Sequence, residues 1–310
     1  METGRRATLT PEMFEPVGVD AQEGERIAGP PSSFWKDAWR RLKKNKVALF
    51  GLVSIVFVIA AAYIGPLISG YGPYAQDLSV RLQGSSSEHW FGTDSFGRDL
   101  FTRVWQGTQI SLYIAFLAAF IDVAIGIGYG AISAYYGGWI DSVMQRIIEI
   151  LVGIPNLVVV ILVMIILQPG ILTITFALVI TGWVGMARLV RGQVMQLKEE
   201  EFFLAARSLG AGTGRLIWKH LIPNIVAIDI INLMFTIPNA IFFEAFLSFI
   251  GLGITVPQAS LGSLVSDGYK FLQGDSYLLW FPAGVLCLLM ISFNLLADGL
   301  RDALDPRMKK

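Results

Sequence analysis

Six stretches of this chain, approximately 47–69, 109–134, 149–168, 171–190, 224–248 and 278–298, are almost free of charge. Each is near the roughly 20 residues that a helix needs to cross the hydrocarbon core of a bilayer. This repetition constrains the fold more than any other feature, because it predicts an all-α polytopic membrane protein with six transmembrane helices. Composition agrees: charged residues are 15% of the chain where roughly 25% is usual, and the mean hydropathy is +0.58.

An even number of spans returns the C-terminus to the side of the N-terminus, and the basic residues indicate which side that is. Arg40, Arg41, Lys43, Lys44, Lys46, Arg146, Arg188, Arg191, Lys198, Arg207, Arg215, Lys219, Arg301, Arg307, Lys309 and Lys310 fall on one side, and Arg81, Arg98, Arg103 and Lys270 on the other. By the positive-inside rule both termini are expected in the cytoplasm. The 24 basic and 24 acidic residues cancel, so nothing points to a nucleic-acid partner, and the expected surroundings are a cell membrane. A single cysteine, Cys287, excludes an internal disulfide and a thiolate metal cluster, while His89 and His220 read as surface polar residues.

Residues 1–33 are polar and contain Pro11, Pro16, Pro30 and Pro31, which predicts a disordered cytoplasmic tail rather than a signal peptide or folded domain. From 34 to 46 the pattern changes. Phe34, Trp35, Ala38, Trp39 and Leu42 recur at helical spacing among Lys36, Arg40, Arg41, Lys43 and Lys44, as in an interfacial amphipathic helix. The six-span domain then occupies 47–298, and 299–310 is expected to be a cytoplasmic tail.

Between the fourth and fifth spans lies a charged stretch, EEEFFLAARSLGAGTGRLIWKHLIP, from Glu199 to Pro223. Glu199, Glu200 and Glu201 suit a helix N-terminus, and Ala205, Ala206 and Leu209 continue as good helix formers. Gly210 can end the helix in the left-handed conformation, Thr213 can cap a second one, and Pro223 can open the next span.

Here the chain resembles the permease subunits of ABC importers. Their cytoplasmic signature reads EAA, three residues, Gly, nine residues, Ile-x-Leu-Pro, and Ala205, Ala206, Gly210 and Pro223 fall on that spacing. Leu204, His220 and Ile222 stand where the signature has Glu, Ile and Leu, so the role of the glutamate is not carried over. Other stretches are similar to the C-type permeases of peptide and nickel importers: HWFGTDSFGRDLFTRVWQGTQISL from His89, YYGGWIDSVMQR from Tyr135, FEAFLSFIGLGITVPQASLGSLVSDG from Phe243 and FNLLADGLRDALDPR from Phe293. The resemblance implies a type I ABC importer permease fold and alternating access to a passage shared with a homologous second permease. It further implies two cytoplasmic ABC ATPases docked on residues such as Glu201, Ala205, Ala206, Gly210 and Pro223, and an extracellular or periplasmic binding protein that delivers the substrate.

The glycine-rich GAGTGR at Gly210 is no phosphate loop, since neither Lys nor Ser/Thr follows Gly214, and HExxH and GxSxG are absent too. No cofactor is therefore expected in this chain, and ATP and magnesium are assigned to partner subunits. Asp122, Asp229 and Glu244 are the acids placed inside spans, where a carboxylate faces protein or water. They line the passage or a helix interface, or in a rival reading drive an ion-coupled secondary transporter; a second rival is an intramembrane enzyme with paired aspartates. Gly126 and Gly130 form a GxxxG contact face with no partner specified. Pro155, Pro238 and Pro282 are expected to interrupt spans three, five and six. The substrate read from the resemblance is an oligopeptide or dipeptide, with nickel or glutathione as the alternative.

Overall fold

The computed structural model describes residues 34–304, so the tail assigned to 1–33 and residues 305–310 lie outside it. Among the described residues the fold is helical. α1 spans Phe34–Lys44, α2 Lys46–Ser69, α3 Leu100–Tyr136, α4 Gly138–Gly153, α5 Asn156–Leu167 and α6 Ile171–Leu197. Then follow the short α7 Glu201–Ser208, the long α8 Thr213–Phe249, α9 Leu261–Tyr269 and α10 Tyr277–Leu304.

Five helices, α2, α3, α6, α8 and α10, are long and apolar enough to cross a membrane, and α4 with α5 make a sixth crossing only as a pair bent by 80°. The third span is thus a broken element rather than one helix. Its break falls at Ile154 and Pro155, both in extended conformation. Proline pushes the preceding residue out of the helical region and brings no N–H of its own. Pro238 and Pro282, expected to do the same, sit inside continuous helices instead.

Two boundaries move outward for identifiable reasons. α3 begins at Leu100 rather than 109 because Asp99 caps it, accepting from Thr102 N. At 37 residues it is about 55 Å long, well beyond the roughly 30 Å hydrocarbon core. α10 likewise runs to Leu304, so the stretch from 299 is helical up to that residue. The hinge between α1 and α2 is Asn45, whose side chain accepts from Val47 N at 3.1 Å and Ala48 N at 3.2 Å.

The most extensive helix pairing is α3 on α6, and glycine creates it. A Cβ at Gly126 would lie 2.5 Å from Met186 Cβ, and one at Gly130 would lie 2.4 Å from the Ala187 carbonyl oxygen. The GxxxG face therefore belongs to α6. A separate buried cluster joins α2, α3, α8, α9 and α10 through Val58, Val104, Leu112, Ile241, Leu261 and Leu289. α1 is tied to this body by Leu42, while Lys43 lies over the Trp39 ring at 5.2 Å.

Candidate functional site

α7 and the start of α8 stand out from the helical body, held to it by one side chain above all. Phe203 is 1% exposed and shares a buried cluster with Ala131, Ala134, Val190, Val194, Leu216 and Leu221. Around this anchor the surface is bare: Glu201, Ala205 and Gly210 are exposed, Ala206 is half-buried, and Leu204, Leu209 and Trp218 present apolar side chains outward. Leu209 is 89% exposed.

The end of α7 is a complete Schellman motif. Gly210 takes φ 80°, its N–H donates to Arg207 O at 3.0 Å, and the Ala211 N–H donates to Ala206 O at 3.1 Å. Ala206 and Ala211 both pack on the cluster around Phe203. A Cβ at Gly210 would meet nothing within 4 Å. This chain thus requires a left-handed residue there but supplies no wall against a side chain.

The second helix does not begin with a threonine cap. Gly212 precedes it, and the Thr213 hydroxyl lies 3.1 Å from the Tyr135 hydroxyl instead. α8 then widens into a π turn over Leu216–Leu221, closed by Ile222 N–H donating to Ile217 O. Pro223 follows immediately and is exposed. Because it cannot donate to the residue four back, the backbone just before it is free to adopt the wider winding. The second half of the loop, from Thr213, is consequently one continuous helix with span five.

Behind this element, three contacts tie α3, α4 and α6 to one another. Lys198 Nζ donates to Ala134 O at 2.7 Å and Tyr135 O at 3.0 Å, placing a cation on the unpaired carbonyls that end α3. Arg191 donates from Nε and Nη2 to the two oxygens of Asp141, at 2.7 and 2.6 Å. The Ser133 hydroxyl also donates to Asp141. Asp141 is the acid of the YYGGWID stretch, so that motif's carboxylate stitches α4 to α6 just behind the loop. Pairing gave no sign of Arg191 in the sequence, 50 residues away.

The interior acids are not brought together. Glu244 is fully buried and accepts from Ser111 at 2.7 Å and Ser248 at 2.8 Å, while Ser111 also accepts from Leu261 N. It is a polar junction of α3, α8 and α9. Asp122 packs against α6 where Gly182 leaves room, since a Cβ there would lie 2.2 Å from Asp122 Oδ2. Asp122 Oδ1 and both oxygens of Asp229 are buried without hydrogen-bond partners. Ser111 and Asp122 are eleven residues, about 16 Å, apart along α3, so Glu244 and Asp122 mark different levels of the molecule. No group of three potential metal ligands exists among the described residues.

On the far side, residues 77–103 fold into a polar knot. Asp99 accepts from Thr102 N at 2.8 Å and pairs with His89 Nδ1 at 2.9 Å, and His89 is 6% exposed, a buried residue rather than a surface one. Asp94 accepts from Phe96 N, Arg98 N and Arg98 Nε at 2.8, 3.0 and 2.6 Å. Arg103 is buried beside it, with Nε 3.5 Å from Asp94 Oδ2. Thr93 accepts from Gln83 N and its carbonyl oxygen accepts from the Tyr277 hydroxyl at 2.9 Å. Ser79, through its hydroxyl and its amide, holds the nearby exposed Asp77 carboxyl below the usual carboxylate range.

Comparison with known proteins matches residues 126–310 to the family described as binding-protein-dependent transport system inner membrane component. Residues 33–84 match the N-terminal TM domain of oligopeptide transport permease C. The chain is 46% identical over 298 residues to the oligopeptide transport system permease protein OppC of Bacillus subtilis, covering 96% of this chain and 98% of the relative. It is 49% identical over 290 residues to the dipeptide transport system permease protein DppC of the same organism, covering 93% and 91%. Similarity to OppC of Escherichia coli K12 is 39% over 285 residues, covering 91% and 94%.

Proposed function

Since this chain belongs to the family of binding-protein-dependent transport system inner membrane components, we propose that it is the transmembrane permease subunit of an ATP-driven importer of oligopeptides or dipeptides. The observation that carries this reading is identity of 46% and 49% to oligopeptide and dipeptide permeases along nearly the whole chain. It sits in a bacterial cell membrane with both termini in the cytoplasm and forms half of the passage with a homologous second permease.

The chain is not itself catalytic. Two ABC ATPase subunits bind ATP and magnesium, and each receives one coupling loop of the kind built here by α7 and the start of α8. Glu201, Ala205, Ala206 and Gly210 face that ATPase, and Pro223 sets the winding that joins the contact to span five. The bare apolar surface of Leu204, Leu209 and Trp218 supports this role, because a patch of that kind beside water marks an interaction site. An external binding protein hands the peptide to the outer face. Asp122, Asp229 and Glu244 act as packing and interface groups: Glu244 already has its hydroxyl donors, and no hydrogen bond links the three into a relay.

The test is uptake by the complex purified with its partners and reconstituted in proteoliposomes. Labelled peptide should accumulate only with ATP and the binding protein. Accumulation of nickel or glutathione with no peptide uptake, or peptide uptake driven by an ion gradient without ATP, would overturn the assignment.

A further inference from the structure

At the cytoplasmic end of the helical body, α6, α8 and α10 enclose an open cavity of about 570 Å³, the size of a small-ligand site. Leu189, Ile228, Ile231 and Phe235 give it apolar walls, and Asn232 and Arg301 are its polar lining residues. Arg301 is the only charged side chain in the lining, and it forms no ion pair with any described residue. The Asn232 amide donates to Ile228 O at 2.8 Å, which leaves its oxygen as an acceptor.

The orientation of α10 places this cavity on the face of the helix opposite α1 and α2, with Arg301 exposed. Gly299 backs onto the N-terminal helices, where a Cβ would lie 2.1 Å from Ala48 Cβ and 3.5 Å from Leu42 Cδ1. Arg301 is two residues further on, about 200° around the helix, and so points away from α1 and α2. All the lining residues fall within 126–310, the region shared with other transport components.

We propose that Arg301 receives the C-terminal carboxylate of the transported peptide on the cytoplasmic side of the passage. This rests on the peptide-importer reading and names the group of the substrate that is held. Peptides of differing sequence share their backbone and their terminal carboxylate, so a site for all of them needs apolar walls of low specificity and one fixed cation. Arginine suits that cation because its planar fork meets both oxygens of a carboxylate and stays charged. The Asn232 oxygen is placed to accept a peptide N–H nearby. A single charge in an open site binds weakly, which favours release into the cytoplasm.

The experiment compares ATP-driven uptake of one peptide with a free C-terminus and the same peptide amidated, by the full complex in vesicles with and without anionic phospholipid. Arg301→Gln is expected to lower uptake of the free peptide about tenfold and to change that of the amidated peptide less than about twofold, in both kinds of vesicle. Arg301→Lys should fall between Gln and the wild type for the free peptide alone. Arg188→Gln, on exposed α6 surface outside the cavity, should leave the ratio of the two peptides unaltered. Equal loss of both peptides in Arg301→Gln, or a loss seen only with anionic lipid, would overturn the assignment and mark Arg301 as a structural or lipid-phosphate contact. If the wild-type complex takes up neither peptide, the peptide-importer reading fails first and the proposal with it.

Discussion

The two polar ends of this molecule are built on opposite plans. In the knot of residues 77–103, Gly92 and Gly97 are walled in and Asp94, Asp99, His89 and Thr93 find hydrogen-bond partners within the chain. A Cβ at Gly97 would lie 1.7 Å from Asp77 O, and one at Gly92 would lie 2.5 Å from Gln83 O. At the loop from α7 into α8 a Cβ at Gly210, Gly212 or Gly214 would meet nothing within 4 Å, and apolar side chains lie bare. The knot is closed by contacts within one chain, whereas the loop leaves its glycines and apolar side chains uncovered. Identical residues at the two ends should therefore fail in different ways.

The sharpest break in the comparison is topological. In a Cys287→Ser background, Ser87→Cys in the knot should react with an impermeant thiol reagent added to intact cells, and Ser208→Cys at the end of α7 should react only after lysis. Labelling of Ser208→Cys from outside would reverse the two ends. Next in size is Gly97→Ala, which combines a left-handed φ of 70° with a backbone collision. It should cost about 3 kcal/mol or more and show as a lower midpoint of thermal unfolding in detergent. A variant as stable as the wild type would show that the knot yields easily.

Gly210 offers the matched test at the other end. Replacement by Ala should cost stability only about 1 kcal/mol, since φ 80° is strained but the space is open. If partner contact dominates, Asn at this position, which tolerates the left-handed geometry, should uncouple ATP hydrolysis from uptake as badly as Ala. Full transport by Gly210→Asn beside a defective Gly210→Ala would assign the glycine to the backbone alone. The smallest effect is expected inside the membrane. Asp122→Asn should keep most transport and leave its dependence on external pH unchanged, whereas Asp122→Leu should lose more, because the site beside Gly182 accommodates a polar group of this size. A pH dependence abolished by Asp122→Asn would revive ion coupling.

Long apolar runs were the legible part of the sequence, because crossing a bilayer leaves little freedom in length or composition. Prolines were not. Pro155, Pro238 and Pro282 look alike in the sequence, yet only Pro155 stands at a break between helices, while the other two sit inside continuous ones. His89 read as a surface polar residue, but it is buried against Asp99, and Arg98 and Arg103, counted only as charges on one side, are buried beside Asp94. In the stretch from Glu199 to Pro223, Ala205 and Gly210 are exposed while Ala206 between them is half-buried on the cluster around Phe203. Phe203, which anchors it, resembles its exposed neighbour Phe202 in every respect but phase. Arg301 stands in the FNLLADGLRDALDPR stretch, but nothing there pointed to Asn232, since their relation exists only once α8 and α10 lie side by side.

The bare loop also has a consequence for synthesis. Leu204, Leu209 at 89% and Trp218 at 73% exposure leave apolar surface that costs free energy wherever water reaches it and adheres to other apolar surfaces. If the proposed ATPase contact is what covers this surface, a cell that makes the subunit in excess of its ATPases should accumulate inserted, folded chains that are sticky. The stoichiometry of expression, rather than the stability of the permease itself, then limits how many orphan subunits a membrane can tolerate.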